Sequence, residues 1–441
     1  MLTLIGLLTI AALVTLLITG RTTAIIALVL VPLVAALIVG TGTDALAGYF
    51  NDGLKRVAPI AAMFMFAITF FGVLQDAGLF RPLVDGLVRM TAGNIVAVAV
   101  MTALLGMVAH LDGAGATTFL LTVPALLPLY RRLHMSPYLM LLLLATGAGI
   151  FNMLPWAGPL GRAAAVTGID VGVLWRPLLP VQVIGAVLLL AMAALLGLRE
   201  RGRAARLAAR LAACLAARGG DLAPAESAAL LPRMAAPVPV RHGWLNALLF
   251  VAVLGALVGS LLPSAYIFMI GLALALLINY RRPSQQMEAI AAHAPAALKM
   301  GAIILAAGSF LGVMDGSGML RSIAADLAHV LPDPMLPWLH VLLGMVGLPM
   351  ELLLSTDAYY FGLLPVVLEI TTPLGVDPAH SVYALTIGNI VGTFISPFSP
   401  ALWLALGLAG ADIGRHIRYS LGWMWGFSLL LLGAAWLLGL F

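Results

Sequence analysis

The chain has a single cysteine, Cys214, in 441 residues, so no internal disulfide can staple it. Charge is almost as scarce. Asp, Glu, Lys and Arg make up 9% of the residues, against about 25% in an ordinary soluble domain. A water-facing globular surface cannot be built from so few charges. There is no HExxH and no clustered Cys/His spacing, so nothing points to a structural zinc site. The apolar stretches do not alternate with polar residues as spanning β-strands do, which excludes a membrane barrel.

What is present is apolar sequence. Hydrophobic residues make up 62% of the chain, in many windows of the roughly 20 residues needed to cross a bilayer core of about 30 Å. The class is an all-α polytopic membrane protein. The stretch 1–20 lacks a basic n-region and a small-residue cleavage site, and is read as a retained first helix. Expected helices are 2–19, 22–41 and 58–75, then two short arms, 94–110 and 117–130. A helix from Tyr138 is broken at 152–159, and 173–197 follows. After a polar segment, 198–243, come 244–260, 262–279 and 297–313. Arms at 335–350 and 358–370, a broken helix at 381–408 and a last helix at 419–440 complete the chain.

The second half repeats the first. "GVLQDAGLFR" (72–81) matches "GVMDGSGMLR" (312–321), and "LLGMV" occurs at 104–108 and 342–346. Pro124, Pro137 and Pro159 match Pro365, Pro378 and Pro400, each 241 residues on. The division is residues 1–197, an Arg-rich linker at 198–243, and residues 244–441. If each arm pair is a re-entrant hairpin, each half has five spanning helices, and an odd number makes the repeats inverted. The positive-inside rule tests this layout. With the linker in the cytoplasm, its eight arginines share a face with Arg21, Arg81, Arg89, Arg131, Arg132, Arg281, Arg282, Arg415 and Arg418. The other face receives Lys55, Arg56, Arg176 and Arg321, a split of 17 to 4. Both termini then lie outside the cytoplasm. This placement also explains the net charge of +5 without nucleic acid. Within the linker, Leu207, Leu211 and Leu215 share one helix face. A helix lying on the membrane surface and a solvated basic linker both fit. There is no soluble catalytic domain.

Two paired constellations carry chemistry. The hairpin tips read "HLDGAGATT" (110–118) and "MELLLSTDAYYFG" (350–362). Non-helical backbone at membrane depth is tolerated only where it is buried in protein or lines a polar cavity. Gly113 and Gly115 permit such backbone. Thr117, Thr118, Ser355 and Thr356 supply hydroxyls, and Asp112 and Asp357 supply carboxylates. An intramembrane ionisable group is a functional-site hypothesis by default; the plain alternative is that the aspartates cap helices in an external loop. His110 and Glu351 flank the tips and are further places for a proton.

The second pair is the helix breaks, "NMLPWAGPLGR" (152–162) and "GTFISPFSP" (392–400). Two prolines within a few residues remove backbone donors and should unwind the helix. Half-helix N-termini then face anions and freed carbonyls face cations. Asn152, Trp156, Gly158, Thr393, Ser396 and Ser399 would line this region. Arg162, three residues after Pro159, either snorkels to the outer interface or neutralises a substrate carboxylate, and snorkelling is the preferred reading. "QDAG" (75–78) and "DGSG" (315–318) read as helix C-caps with left-handed glycines.

With "LDGAGATTFLLTVPALLPLYRRL", "NMLPWAGPLGRA", "STDAYYFGLLPV" and "ISPFSPALWLALGLAGADIG", the chain resembles the citrate–divalent metal–proton symporters, bacterial secondary carriers of the ion transporter superfamily. The resemblance spans nearly the whole chain and is weakest at 198–243. It implies uptake of citrate complexed with a divalent cation of the Mg²⁺ or Ca²⁺ class, with protons, across the bacterial inner membrane. It also implies inverted repeats with two re-entrant hairpins, a homodimer and elevator motion. No permanently bound cofactor is implied; the metal travels with the substrate. Asp112 and Asp357 become the expected metal contacts, and Asp112, Glu351 and Asp357 the expected proton sites. Ala114 departs from the family pattern, in which a second aspartate often stands there, leaving one carboxylate fewer at the first tip. The rivals are a sodium-coupled carrier of free di- or tricarboxylate and a carrier of another acid such as gluconate. An intramembrane enzyme would need a nucleophile–base pair or a metal triad at depth, and neither is present.

Overall fold

A computed structural model describes residues 1–19, 21–79, 94–217, 242–259 and 261–441. They are helical almost throughout, with no β-strand among them. The first half runs α1 (Leu2–Ile18), α2 (Ala24–Val39), α3 (Thr43–Asp76), α4 (Ile95–Ala109), α5 (Gly115–Arg132), α6 (Pro137–Phe151), α7 (Gly158–Thr167) and α8 (Leu178–Ala217). The second runs α9 (Gly243–Gly259), α10 (Ser264–Asn279), α11 (Pro283–Gly316), α12 (Met319–Val330), α13 (Leu339–Met345), α14 (Gly347–Glu351), α15 (Leu364–Thr371), α16 (Pro378–Ile390), α17 (Pro400–Ala409) and α18 (Ile413–Leu437). Among the described residues, five helical stretches are long and apolar enough to cross a membrane. The bounds of α2 recur at α10 and those of α3 at α11, each 240 residues on.

Four helices, α3, α8, α11 and α12, differ from expectation. α3 begins at Thr43, not 58, because the polar stretch before Lys55 still carries a helical stripe. Leu46, Tyr49, Gly53 and Val57 turn inward while Asp44, Asn51, Asp52 and Lys55 face out, the spacing of one helix face. α11 is extended in the same way and packs along α3. Glycines set their approach. A Cβ at Gly53 would lie 2.0 Å from the Gly308 carbonyl oxygen, and one at Gly312 would lie 2.1 Å from that of Tyr49. α12 was not expected at all. Its Met319, Leu320, Ile323 and Ala324 are buried, and Ser322 Oγ meets Thr3 Oγ of α1 at 2.6 Å.

α8 continues past 197 to Ala217, into the segment read as linker. Glu200, 5% exposed, explains why its first residues are docked. Its carboxylate accepts from the Ser136 backbone N–H at 2.6 Å, and Arg203 Nη donates to the His134 carbonyl at 3.1 Å. Residues 218–241, most of the rest of that linker, lie outside the described residues, as do 80–93 with Arg81 and Arg89. Gly78 and Gly318 cap α3 and α11 with φ of 80° and 76°, the left-handed closure expected of "QDAG" and "DGSG".

The "LLGMV" repeats have a packing role. A Cβ at Gly106 would meet the Leu144 carbonyl oxygen of α6 at 2.8 Å, and one at Gly344 the Ala384 oxygen of α16 at 2.6 Å. In each half, the first hairpin arm therefore lies backbone to backbone on the helix that leads into the break.

Candidate functional site

Both breaks form where the prolines stand. The chain leaves helix over 152–157, around Pro155, and resumes at Gly158–Pro159. It tightens to a 3₁₀ turn at Val391–Phe394, and leaves helix over 395–399 before resuming at Pro400. The breaks meet each other: a Cβ at Gly149, just before the first, would come 2.8 Å from Val391 Cα at the start of the second.

The first tip is a single 3₁₀ turn, His110–Asp112, closed by Gly113 at φ 72°. Only glycine reaches that conformation without strain, and a Cβ there would also strike Trp156 Cδ1 at 2.9 Å. The Trp156 indole donates to the Leu111 carbonyl at 2.8 Å and stacks on Phe71 of α3, ring centres 4.7 Å apart. Gly115 is a close approach as well, since its Cβ would lie 2.6 Å from the Phe394 ring of the other break. Asp112 is half-buried and folds back on its own turn, Oδ1 accepting the Ala114 N–H at 2.8 Å. The fully buried group is His110. Its Nδ1 meets Thr118 Oγ1 at 2.8 Å and its Nε2 meets Asn152 Oδ1 at 3.4 Å.

The second tip has the same plan with different chemistry. α14 ends at Glu351, the chain turns over 352–355, and helix restarts at Thr356 and widens into a π-helical turn at Ala358–Leu363, a distortion common at functional sites. Ser355 Oγ accepts the Ala358 N–H at 3.2 Å. Glu351 is fully buried. Oε1 accepts from Thr356 at 2.8 Å and Oε2 accepts from Asn389 Nδ2, while Ser396 Oγ donates to the Glu351 backbone carbonyl at 2.7 Å. His110 and Glu351 thus each join a tip threonine to an asparagine, Asn152 at the start of the first break and Asn389 on the helix leading into the second.

Asp357 is not a free carboxylate. Arg162 Nε donates to its Oδ1 at 2.6 Å, and the arginine is only 9% exposed. Arg162 therefore does not snorkel outward; it turns in, because the break lets α7 restart beside the second tip. This contact joins the first half's broken helix to the second half's hairpin. Thr393 Oγ1 and Asn389 Oδ1 are buried without a hydrogen-bond partner among the described residues. Ser399 stands at the N-cap of α17 without a side-chain capping bond. Nowhere among the described residues do three His, Cys, Asp or Glu side chains converge as a metal cage would require.

Sequence reasoning missed Asn389, whose register position in the first half is Ala148, so the repeat did not flag it. An amide inside "YALTIGNIV" (383–391) was the available signal.

Residues 5–388 match the citrate transporter family. A Bacillus subtilis citrate transporter is 36% identical over 96% of each chain. The Mg(2+)/citrate complex secondary transporter of the same species is 34% identical over 96% of this chain and 95% of its own. The crystal structure of the Alcanivorax borkumensis YdaH transporter, described as having an unusual topology, superposes with a TM-score of 0.58 at 18% identity, over 90% of this chain and 89% of that one. At that identity the likeness concerns the fold alone. The sequence matches and the apolar helices together make this chain a multi-pass membrane transporter, not an enzyme, and a member of the citrate transporter family.

Proposed function

We propose that the protein is a proton symporter for citrate bound to a divalent cation, and that the two tips and two breaks form its site. The observation that carries the reading is the polar lining around Glu351. Its carboxylate is held by two neutral donors, Thr356 and Asn389, rather than by a cation of its own. That arrangement accommodates a carboxylic acid as well as a carboxylate. One arginine and few carboxylates suit a substrate of low net charge: citrate carries about three negative charges at neutral pH, and a bound divalent cation leaves about one. Hard cations prefer oxygen ligands, and citrate brings most of them. A relative named for the Mg(2+)/citrate complex supports the same class. Asp112, Gly113, Gly115, Thr117, Thr118, Asn152, Trp156, Gly158, Ser355, Thr356, Thr393, Ser396 and Ser399 line the substrate path in this reading, and Asp112 is the first-choice contact for the cation.

The arms α4 and α5 have 15 and 18 residues, about 22 and 27 Å at 1.5 Å per residue. Length does not set them apart, since α1, α2 and α10 have 17, 16 and 16 residues; what supports re-entrant hairpins is the non-helical turn at each tip beside the fully buried His110 and Glu351. Inverted repeats, both termini on the non-cytoplasmic side of the inner membrane, a homodimer and elevator motion belong to the same proposal.

The test is labelled-citrate uptake in proteoliposomes with Mg²⁺, Ca²⁺ or EDTA. Uptake should need the divalent cation and an inward proton gradient, and chelation should reduce it at least tenfold. Uptake indifferent to EDTA sinks the metal complex. A sodium-coupled carrier of the free anion is the second reading, favoured by the unpartnered oxygens of Asn389 and Thr393 beside the unwound backbone. Sodium dependence without a divalent requirement selects it.

A further inference from the structure

Arg162 is a buried cation whose donors are mostly unused. A guanidinium has five N–H groups in a planar fork. Nε takes Asp357 Oδ1 at 2.6 Å, and the terminal nitrogens make no hydrogen bond among the described residues. Asp357 fixes its near edge. On the other side Nη1 lies over Gly158, where a Cβ would come within 2.4 Å of it. The nearby Glu351 carboxylate already has Thr356 on one oxygen and Asn389 on the other. Unlike Thr393 Oγ1 and Asn389 Oδ1, these nitrogens are not fully buried, so water reaches them and a ligand can take its place. What would satisfy a planar pair of N–H groups is a carboxylate, taken bidentately.

We propose that Arg162 is the residue that selects the substrate by a free carboxylate, oriented by Asp357 and admitted by the missing side chain of Gly158. The proposal rests on the metal–citrate reading. When citrate chelates a cation through its hydroxyl, its central carboxylate and one terminal carboxylate, the other terminal carboxylate stays free. That group is the one the fork would take. Because Arg162 stands on α7 and Asp357 at the second tip, seating the carboxylate joins elements of both halves around the substrate.

The experiment compares citrate with its terminal monoamide as competitors of labelled citrate uptake, in proteoliposomes with Mg²⁺. The wild type should prefer citrate by roughly tenfold to a hundredfold, the worth of a hydrogen bond to a charged group. In Arg162→Gln the preference should fall to within about threefold. In Gly158→Ala, which keeps the charge but pushes the fork aside, it should be intermediate. The ratio is read within one variant, so loss of folded protein cannot imitate it. The double variant Arg162→Gln/Asp357→Asn separates binding from pairing: it leaves no buried unpaired charge, yet its citrate KM should stay raised at least tenfold. A preference unchanged in Arg162→Gln, or a double variant with wild-type KM, overturns the assignment while leaving metal–citrate transport standing. A wild type that takes up no Mg²⁺–citrate overturns both.

Discussion

Glu351→Gln is expected to abolish proton-driven accumulation of citrate while leaving exchange of labelled for unlabelled citrate intact. The substitution is close to isosteric, and the surroundings accept it. The amide oxygen still takes the Asn389 N–H, and the amide nitrogen donates to the Thr356 hydroxyl, so the contacts that hold the second tip to its break survive. What is lost is the ability to change charge. A glutamine resembles the permanently protonated acid, so a step that needs the loaded, protonated carrier proceeds and a step that needs proton release does not. For each proton carried, one unit of pH gradient is worth about a tenfold concentration ratio, so the steady-state ratio should fall by about that factor at a one-unit gradient. Arg162 is paired with Asp357, and the Glu351 carboxylate is held by Thr356 and Asn389 instead, so the substitution breaks no ion pair. If Glu351→Gln still accumulates citrate with the wild-type pH dependence, the proton travels elsewhere, and Asp112→Asn becomes the next variant to measure.

How far this site could be read from sequence depended on what the repeat made visible. Prolines and glycines announce themselves locally, so both breaks were located within a residue or two from Pro155, Pro159, Pro397 and Pro400. Side-chain partnerships are another matter. The two aspartates drew attention as a pair, yet they are not counterparts: adding the 241-residue offset to Asp112 leads to Leu353, not Asp357. The positions that do correspond are His110 and Glu351. Each is buried, and each bridges a tip threonine to an asparagine. Different residue types at one register position hide from a search for identities. Arg162 was harder still, because its partner lies 195 residues away. An arginine near the end of an apolar run reads as an interfacial anchor until the fold places a carboxylate beside it.

The helices followed the same logic. Those bounded by apolar composition, such as α2 and α10, were found with nearly correct limits. Those that continue into polar sequence, α3, α8 and α11, were cut short, because hydropathy averages over the faces whereas the stripe of Leu46, Tyr49, Gly53 and Val57 concerns only one. α12 failed for a related reason: twelve residues with one apolar face fall below any spanning length.

Gly53→Ala is expected to destabilise the protein, whereas Gly48→Ala in the same helix is not. The two test one idea, that α3 and α11 touch through backbone. At Gly53 an added Cβ would stand 2.0 Å from the Gly308 carbonyl oxygen and 3.0 Å from Gly312 Cα. A carbon and a carbonyl oxygen normally keep about 3.3 Å apart, so the helices must separate by more than an ångström or the oxygen must tilt. Overpacking of this kind costs about 1–3 kcal/mol, out of the roughly 5–15 kcal/mol that hold a typical domain. Gly48 has nothing within 4 Å of its added Cβ, and there alanine gains up to about 1 kcal/mol of helix propensity. Thermal unfolding of the purified protein should therefore show Gly53→Ala below the wild type by several degrees and Gly48→Ala at or above it. Uptake should follow stability, because this helix pair is the bed of the site. Phe64 of α3 packs on Gly161 of α7, Phe71 stacks on Trp156, and Met300 of α11 lies beside Gly158. Moving α3 away from α11 moves the surface on which Arg162 rests. Equal melting temperatures for the two variants would show that the crossing has slack, and the glycine contacts would then say nothing about why these helices pair.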